Sequence, residues 1–338
     1  MPKVRKILFR VDCNKDVGIG HLSRCHILAE QLKKKYNYKI YFLIINFNKD
    51  LYNFNKSLFQ LIAIKSNRYI SEKKDFDLTI AQSKKNNVKN IIVDSYSLKK
   101  KWCRNVKKNV NKFIIIDDGF KKNYLCDLYI DFTRQHKKKS HISNKKLIGL
   151  KYFFLDAKYN KLKNQKSKYQ YDIFINLGSG NLHLETFNLL RLLNNIKNIK
   201  KVLLVGHYFN LRLNTKLFNF RIDVIKRFTH LGSFIKNSKV CIGSGGINLL
   251  ERISINRKNI VFITAKHQNR LSQYLYKKKI IDLVGHSNIL LKKNKSNFVI
   301  NKIKDCLAQN NLNYSYNIID GKGLTRTSRL INKTIDEC

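Results

Sequence analysis

A histidine follows a glycine-containing turn near the start of the chain, in the segment D-C-N-K-D-V-G-I-G-H-L-S-R-C at 12–25. Gly18 and Gly20 allow a sharp turn and leave main-chain N–H groups at the start of the helix that should follow. His21 would lie in the first turn of that helix, where the dipole favours a neutral imidazole able to accept a proton from water. The same spacing is typical of a surface histidine beside a tight turn, and Ser23 replaces the third glycine of a G-x-G-x-x-G motif.

A second glycine-rich segment, G-S-G-G-I-N-L-L-E, occupies 243–251. A strand that ends in such a segment and opens a helix forms a cradle of main-chain N–H groups suited to a diphosphate. Glu251, further along the helix, would accept hydrogen bonds from both hydroxyls of a ribose. The alternative interpretation is a packing turn followed by a solvated glutamate.

Other polar segments also follow predicted strands. They are Asp94-Ser95-Tyr96, Asp117-Asp118-Gly119, Gly178-Ser179-Gly180-Asn181 and Lys266-His267-Gln268. Polar side chains at the end of a buried strand are unfavourable unless they form hydrogen bonds or bind a ligand. Paired carboxylates suit a metal ion or acid–base chemistry, but aspartate at a strand exit also serves as a helix cap or turn former.

Short apolar runs alternate with segments of helical period and so predict the elements that position these motifs. The predicted strands are Ile7–Val11, Tyr38–Ile45, Asn90–Val93, Phe113–Ile116, Tyr171–Leu177, Lys201–Val205, Val240–Ile242 and Asn259–Ile263. The predicted helices cover Leu22–Leu32, Leu184–Leu193, Ile247–Ile253, a segment from Arg270 onward and Leu324–Ile335. Strands joined through helices pair in parallel, which indicates an α/β fold.

The succession of strand, glycine turn and helix begins twice, which favours two Rossmann-like domains over one large sheet. We predict an N-terminal domain over 1–160, a C-terminal domain over 168–322 and a closing helix over 323–338. The polar stretch Asn160–Gln170 is the predicted linker. Two such domains would place the carboxyl ends of both sheets on a shared central cleft, where open α/β sheets bind ligands.

Composition excludes several classes of protein. The 338 residues carry a formal charge of +46 but are 43% hydrophobic, which excludes a disordered polycation. Lysine is spread along the whole chain without a zinc-finger or RNA-binding motif, so we expect no specific nucleic-acid partner. Seven cysteines without a C-x-x-C pair predict free thiols and no zinc site. Apolar runs are too short to cross a bilayer and no signal peptide is recognisable, so we expect a cytoplasmic protein with no membrane partner.

Taken in order, the motifs resemble those of UDP-sugar hydrolases of the PseG type. These enzymes remove UDP from UDP-2,4-diacetamido-2,4,6-trideoxy-β-L-altrose in pseudaminic acid biosynthesis. The resemblance rests on R-V-D-x7-G-H-x-x-R-C (10–25), V-D-S-Y (93–96), I-D-D (116–118), C-D-L-Y-I-D (126–131), G-L-K-Y-F-F-L (149–155), N-L-G-S-G-N (176–181), I-G-S-G-G-I-N-L-L-E (242–251), K-H-Q (266–268) and D-G-K-G-L-T-R (320–326). These segments extend over nearly the whole chain.

The resemblance implies a GT-B-like fold similar to that of MurG, with two doubly wound Rossmann-like domains and UDP held mainly by the C-terminal one. It implies metal-independent hydrolysis with inversion at the anomeric carbon, a UDP-sugar substrate and no cofactor. His21 would be the catalytic residue. The implied sugar-binding residues are Asp12, Gly20, Arg24, Tyr96, His267 and Gln268. The implied UDP-binding residues are Gly178, Gly243, Ser244, Gly245, Gly246 and Glu251.

Two departures from the family pattern concern the sugar. His267 stands where the family has an asparagine, and N-L-G-S-G-N at 176–181 replaces S-L-G-G-S-D. Two other functions compete with hydrolysis. A GT-B glycosyltransferase would use the same UDP site with a different nucleophile, and a basic nucleic-acid-binding protein would account for the charge alone.

Overall fold

The computed structural model describes residues 4–14, 17–47, 52, 54–66, 70–118, 124–135, 145–178, 182–206, 214–226, 230–308 and 318–337. The chain forms two compact units. Unit 1 comprises Met1–Asp156 together with Gly321–Cys338, and unit 2 comprises Ala157–Asp320.

Unit 1 is built on a parallel sheet with helices in the connections. Its strands are β1 (Lys6–Val11), β2 (Lys39–Ile45), β3 (Gln60–Ile64), β4 (Asn90–Asp94), β5 (Lys112–Ile116), β6 (Leu128–Asp131) and β7 (Lys146–Ile148). Its helices are α1 (Gly20–Tyr36), α2 (Glu72–Lys85), α3 (Lys100–Asn109) and the C-terminal α10 (Gly323–Asp336). The strand order is β3-β2-β1-β4-β5-β6-β7, and each pair is parallel.

Unit 2 repeats this design. Its strands are β8 (Tyr171–Asn176), β9 (Lys201–Val205), β10 (Arg221–Ile225), β11 (Ser238–Ser244), β12 (Lys258–Ile263) and β13 (Asp282–His286). Its helices are α4 (Ala157–Lys163), α5 (His183–Leu193), α6 (Gly232–Lys236), α7 (Ile247–Ser254), α8 (Asn269–Lys277) and α9 (Ser296–Ala308). The parallel order is β10-β9-β8-β11-β12-β13.

The central strands each contain a run of buried apolar residues, as expected for parallel strands covered by helices on both faces. In β1, Ile7, Leu8 and Phe9 are completely buried. In unit 2, Ile173 of β8 and Ile242 of β11 are equally buried in the core. These continuous apolar runs specify the centre of each sheet and fix the ends of β1, β4, β8 and β11.

Both strand orders reverse direction next to the first strand of the unit. In unit 1 this topological switch lies between β1 and β4, and in unit 2 it lies between β8 and β11. In open α/β sheets, ligands bind at the carboxyl ends of the strands beside such a switch. The fold therefore marks one edge in each unit as the place to look for function.

The chain returns to unit 1 at its C-terminal end. Arg5 at the start of β1 donates hydrogen bonds to Asn332 and Asp336 of α10. A side chain at Gly323 would collide with the carbonyl oxygen of Phe153, since a Cβ atom there would lie 2.3 Å from it. The predicted closing helix is thus part of unit 1.

The predicted linker Asn160–Gln170 differs from the structure, because its first residues belong to helix α4. Tyr159 anchors that helix in unit 2, where its ring lies 4.5 Å from that of His230 and is almost fully buried. A single aromatic side chain beside a polar stretch gives no apolar periodicity, so the sequence did not predict this helix. The N-terminal segment of unit 1 accordingly ends at Asp156, before the predicted domain limit at residue 160.

The cysteines of the described part of the chain are all buried free thiols; Cys338 lies outside it. Among the described helices, none combines the length and apolar character needed to cross a bilayer.

Candidate site residues at the switch point of each sheet

His21 lies at the switch point of unit 1, in the first turn of α1. The loop that leads to it from β1 is closed by Gly18, which has a φ of 80° and donates its N–H to the carbonyl oxygen of Asn14 at 2.8 Å. Only glycine adopts that conformation without strain. The sequence prediction that this turn precedes a helix is confirmed.

The imidazole of His21 is buried, with 3% of its surface exposed. Its Nε2 lies 3.9 Å from Oδ1 of Asp94, and its ring meets that of Tyr96 at 79° with the centroids 4.1 Å apart. Among the described residues, no hydrogen-bond partner reaches either ring nitrogen. Buried polar atoms of this kind are rare in folded proteins unless they serve a ligand, a water molecule or a reaction.

Arg24, one turn further along α1, lies between two carboxylates. Its Nε and Nη2 each donate to Asp94 at 2.5 Å, and its Nη1 donates to Oδ2 of Asp118 at 3.0 Å. Tyr96 donates its hydroxyl to the same Asp118 oxygen at 2.8 Å. We call these four residues the Arg24 network. They come from α1 and from the ends of β4 and β5, so the network fixes the side chains that surround His21.

Electrostatics in the network keep its members in fixed protonation states. Burial by itself would lower the pKa of Arg24, but the charges of Asp94 and Asp118 raise it instead. Burial and the charge of Asp118 both raise the pKa of Tyr96, so its phenol stays neutral and donates a hydrogen bond. Arg24 is 1% exposed, so the residue predicted to bind the sugar lies beneath the surface of the site.

Asp12 follows β1 and contacts the main chain of Tyr96 after β4. Arg10 donates to its Oδ1 at 2.9 Å, and the N–H of Tyr96 donates to its Oδ2 at 3.2 Å. Burial would raise the pKa of Asp12, but the charges of Arg10 and His21 and a hydrogen bond from Ser95 lower it. Asp12 is therefore a carboxylate, and it interacts electrostatically with His21.

The paired carboxylates do not form a metal site in the part of the chain that the structure describes. Asp94 and Asp118 are occupied by Arg24. No group of three or more histidine, cysteine, aspartate or glutamate side chains is arranged to hold a metal ion in the described segments. The metal-free reaction implied by the resemblance stays a prediction.

In unit 2, the ends of β8 and β11 approach each other at the switch point. Gly178 has a φ of 108°, and its N–H donates to Oδ1 of Asn176 at 3.0 Å. A Cβ atom at Gly178 would lie 3.6 Å from Oγ of Ser244. The two predicted UDP-binding residues Gly178 and Ser244 are therefore neighbours, while Ser179–Asn181 of the same motif lie outside the described residues.

Gly243–Gly246, which we call the glycine loop, leads from β11 into α7. A Cβ atom at Gly243 would lie 2.4 Å from the carbonyl oxygen of Asn176, and one at Gly245 would lie 2.3 Å from Oγ of Ser272. The contact with the main chain thus requires glycine at position 243, and a side chain at position 245 would displace the Ser272 hydroxyl. Helix α7 begins with Gly246 as its N-cap, with no side-chain cap and no acidic residue in the first turn. Such a terminus suits an anion.

Gln268 joins this loop to the next one. Its Oε1 accepts hydrogen bonds from the N–H of Gly245 at 3.2 Å and from the N–H and hydroxyl of Thr264 at 3.0 and 3.2 Å. Its Nε2 points toward Gly246, 3.6 Å from the position of a Cβ atom there. His267 precedes it on the same short 3₁₀ helix and is half-buried. The predicted sugar-binding residue Gln268 therefore holds two loops together.

Glu251 is half-buried on α7, and its Oε2 accepts a hydrogen bond from Nδ2 of Asn248 at 2.8 Å. Asn248 thereby fixes the carboxylate. Both residues lie on the helix that begins at the glycine loop, as the prediction of a ribose-binding glutamate requires.

Two buried arginines beside these motifs were not predicted as site residues. Arg10 holds Asp12, and Arg252 lies behind the glycine loop with no exposed surface. Arg252 stands three residues after the buried Leu249 on α7. An arginine at a position that the amphipathic pattern of a helix assigns to the buried face can be recognised from sequence.

No protein-family model matches this sequence, and no curated protein sequence does. Solved structures do match the whole chain. MurG of Acinetobacter baumannii is 11% identical over 97% of this chain and 99% of its own, with a TM-score of 0.67. The fold is GT-B. The UDP-GlcNAc 2-epimerase of Methanocaldococcus jannaschii, solved with UDP-GlcNAc and UDP, is 11% identical over 97% of this chain and 99% of its own, with a TM-score of 0.63.

A third structure, LpCGTa in complex with UDP, is 8% identical over 98% of this chain and all of its own, with a TM-score of 0.64. The predicted fold class, two Rossmann-like domains of the GT-B kind, is confirmed by these similarities. Identity this low defines the fold alone.

Proposed function

We propose that the protein hydrolyses a UDP-linked diacetamido-trideoxy sugar to UDP and the free sugar, within the biosynthesis of pseudaminic acid or a related nonulosonic acid. The observation that carries this proposal is the state of His21: a buried imidazole at a sheet switch point, beside two carboxylates, with neither ring nitrogen bonded within the described residues. Solved GT-B structures that contain UDP or UDP-GlcNAc support a UDP-sugar as the substrate class.

In this proposal unit 2 supplies the residues that bind UDP. The uncapped start of α7 and the glycine loop donate main-chain N–H groups to the diphosphate, and Gly178 allows its close approach. Glu251, held by Asn248, accepts hydrogen bonds from the ribose hydroxyls. Each residue belongs to the edge of the sheet where open α/β folds bind ligands.

Unit 1 supplies the base. His21 accepts a proton from water, the water oxygen bonds to the anomeric carbon, and the bond from that carbon to the diphosphate oxygen breaks. The electron pair leaves with UDP, and attack opposite the leaving group inverts the configuration. Asp12 and Asp94 stabilise the imidazolium that forms. UDP is a good leaving group, so the reaction needs a positioned base and donors for the diphosphate charge rather than a strong acid.

The remaining predicted sugar-binding residues divide into two roles. Gly20, His267 and the ring of Tyr96 are proposed to face the sugar. Arg24, Asp12, the hydroxyl of Tyr96 and the Oε1 atom of Gln268 act as positioning groups, because their hydrogen bonds go to protein partners.

A glycosyltransferase is the second candidate, since MurG and a calicheamicin glycosyltransferase share the fold. The two functions differ in the nucleophile alone. Incubation of the purified protein with the UDP-sugar and no acceptor, followed by NMR, separates them. We expect UDP and the free sugar, with the anomeric proton first detected in the inverted configuration. UDP-GlcNAc serves as the control substrate. Turnover that begins only after an acceptor is added would replace hydrolysis by transfer.

A further inference from the structure

Arg252 is a buried cation directly behind the glycine loop of unit 2. It has no exposed surface, although it stands next to Glu251 in the sequence. Its Nη2 donates to the carbonyl oxygen of Ser244 at 2.6 Å, and its Nε donates to that of Asn248 at 3.3 Å. Both acceptors are main-chain atoms, one in the loop and one in the first turn of α7.

Among the described residues, none forms a hydrogen bond with Nη1 of Arg252. A Cβ atom at Gly243 would lie 2.8 Å from Nη1. The guanidinium therefore packs against the bare main chain of the loop, with no side chain between the charge and the loop.

The environment of Arg252 is unfavourable for a charge. Burial lowers its pKa to about 10, although Cys241 and Glu251 raise it. Arg24, equally buried in unit 1, differs because two carboxylates compensate its charge. At neutral pH Arg252 remains protonated, and within the described part of unit 2 no carboxylate forms an ion pair with it, although the charge of Glu251 acts on it at a distance. A hydrophobic residue in such a position is often more stable.

We infer that Arg252 is a positioning and electrostatic residue for the diphosphate, acting on it from behind the glycine loop. Its charge attracts the anion through the glycine main chain. Its hydrogen bond holds the Ser244 carbonyl on the inner side of the loop, away from the phosphates. This inference rests on the proposed binding of UDP by this loop, and it adds that affinity depends on the charge of the ligand.

A series of three ligands separates this role from a purely structural one. UDP, UMP and uridine differ in phosphate charge and share the nucleoside. We expect Arg252→Gln and Arg252→Met to weaken UDP binding about tenfold or more, which is typical of the loss of a charged interaction. The same variants should weaken UMP binding by less, and uridine binding by less than about twofold. Arg252→Lys, which keeps the charge, should retain most of the UDP affinity. Calorimetric titration measures all twelve dissociation constants, wild type included.

Thermal unfolding without ligand adds an independent readout. If the buried charge serves the ligand, Arg252→Met should unfold at the same temperature as the wild type or higher. Arg257→Met is the matched control, because Arg257 is also a buried arginine of unit 2. It donates hydrogen bonds to Tyr169 and Ser167. It lies just before the start of β12, at the end of that strand opposite to the ligand-binding edge. Arg257→Met should leave the ratio of UDP to uridine affinity unchanged.

Equal losses for UDP and uridine in the Arg252 variants would overturn the inference, as would unchanged UDP affinity in Arg252→Gln. Arg252→Gln also provides the comparison if Arg252→Met does not fold. Failure of the wild type to bind UDP would instead refute the proposed function, so the two failures are distinguishable.

Discussion

His21 and Tyr96 meet edge to face, with their ring centroids 4.1 Å apart and their planes at 79°. Tyr96 is held at its other end, where its hydroxyl donates to Asp118. The phenol thus connects the Arg24 network to the imidazole and fixes the ring plane, while neither ring nitrogen has a hydrogen-bond partner among the residues that the structure describes. A base that must abstract a proton from water needs this combination of fixed orientation and unoccupied nitrogen atoms.

Tyr96→Phe tests whether the phenol positions His21. The variant keeps the ring contact and removes the hydrogen bond to Asp118, so we expect kcat to fall roughly tenfold and KM to change less than threefold. Steady-state measurement of UDP release gives both constants. A rise in KM with kcat unchanged would instead assign the hydroxyl to direct sugar binding.

His21→Asn tests the base itself. The amide side chain keeps polarity but accepts a proton poorly, so turnover should fall at least about 100-fold while UDP affinity stays within twofold of the wild type. His26→Asn is the matched control on the same helix, because His26 packs among Phe54 and Phe59 and its Nε2 lies 3.4 Å from Glu30. Activity in His21→Asn comparable to that of the control would remove His21 from its role.

The centre of each sheet is predictable from sequence because each of its strands contains a continuous run of buried apolar residues. The edge strands β3, β7 and β10 and the neighbouring β6 are not predicted: β3 and β10 are partly exposed, and β6 and β7 have only four and three residues. Such strands show neither a continuous apolar run nor a long alternation. Helix α2, with only Asp75, Thr79, Ile80 and Ser83 buried, is missed for the same reason.

The site follows a similar rule. Glycine turns after central strands are local in sequence, so the positions of His21 and the glycine loop are predictable. The Arg24 network joins three elements, and contacts between Arg24 and Asp118 depend on side-chain packing that no single segment encodes. The family resemblance therefore implied that Arg24 and Gln268 touch the sugar, whereas their observed hydrogen bonds go to protein groups.

Arg24→Gln should destabilise unit 1 strongly. It leaves Asp94 and Asp118 buried without their cation, for which a loss of about 3–5 kcal/mol in the free energy of unfolding is expected. Lys239→Gln is the control, since Lys239 is largely exposed in its pair with Asp172 and the expected loss is about 0–1 kcal/mol. Urea denaturation followed by circular dichroism measures both. Equal losses would mean that the buried pair contributes no more than the exposed one.

The stability contributed by Asp12 should disappear in acid. Its folded-state pKa lies below the ordinary value of 3.8, so the ionised form stabilises the fold above that pH, and the contribution is lost as the pH falls through the folded pKa. Asp12→Asn should thus be less stable than the wild type near neutral pH, and the difference should shrink below pH 3.8. Urea denaturation of both proteins across this range measures the difference. A constant difference would contradict the assignment.

Glu251→Gln should weaken UDP binding through the ribose alone. The neutral amide offers one acceptor oxygen in place of two, so the dissociation constant for UDP should rise about tenfold, as expected for loss of a hydrogen bond to a charged group. The wild type should bind 2′-deoxy-UDP less tightly than UDP, and the variant should distinguish the two ligands less. Asn248→Ala, which removes the donor to Glu251 Oε2, should give a smaller effect in the same direction because the carboxylate remains but is no longer fixed. Calorimetry gives the dissociation constants of both nucleotides. If Glu251→Gln discriminates between UDP and 2′-deoxy-UDP as well as the wild type does, the ribose contact belongs to another residue.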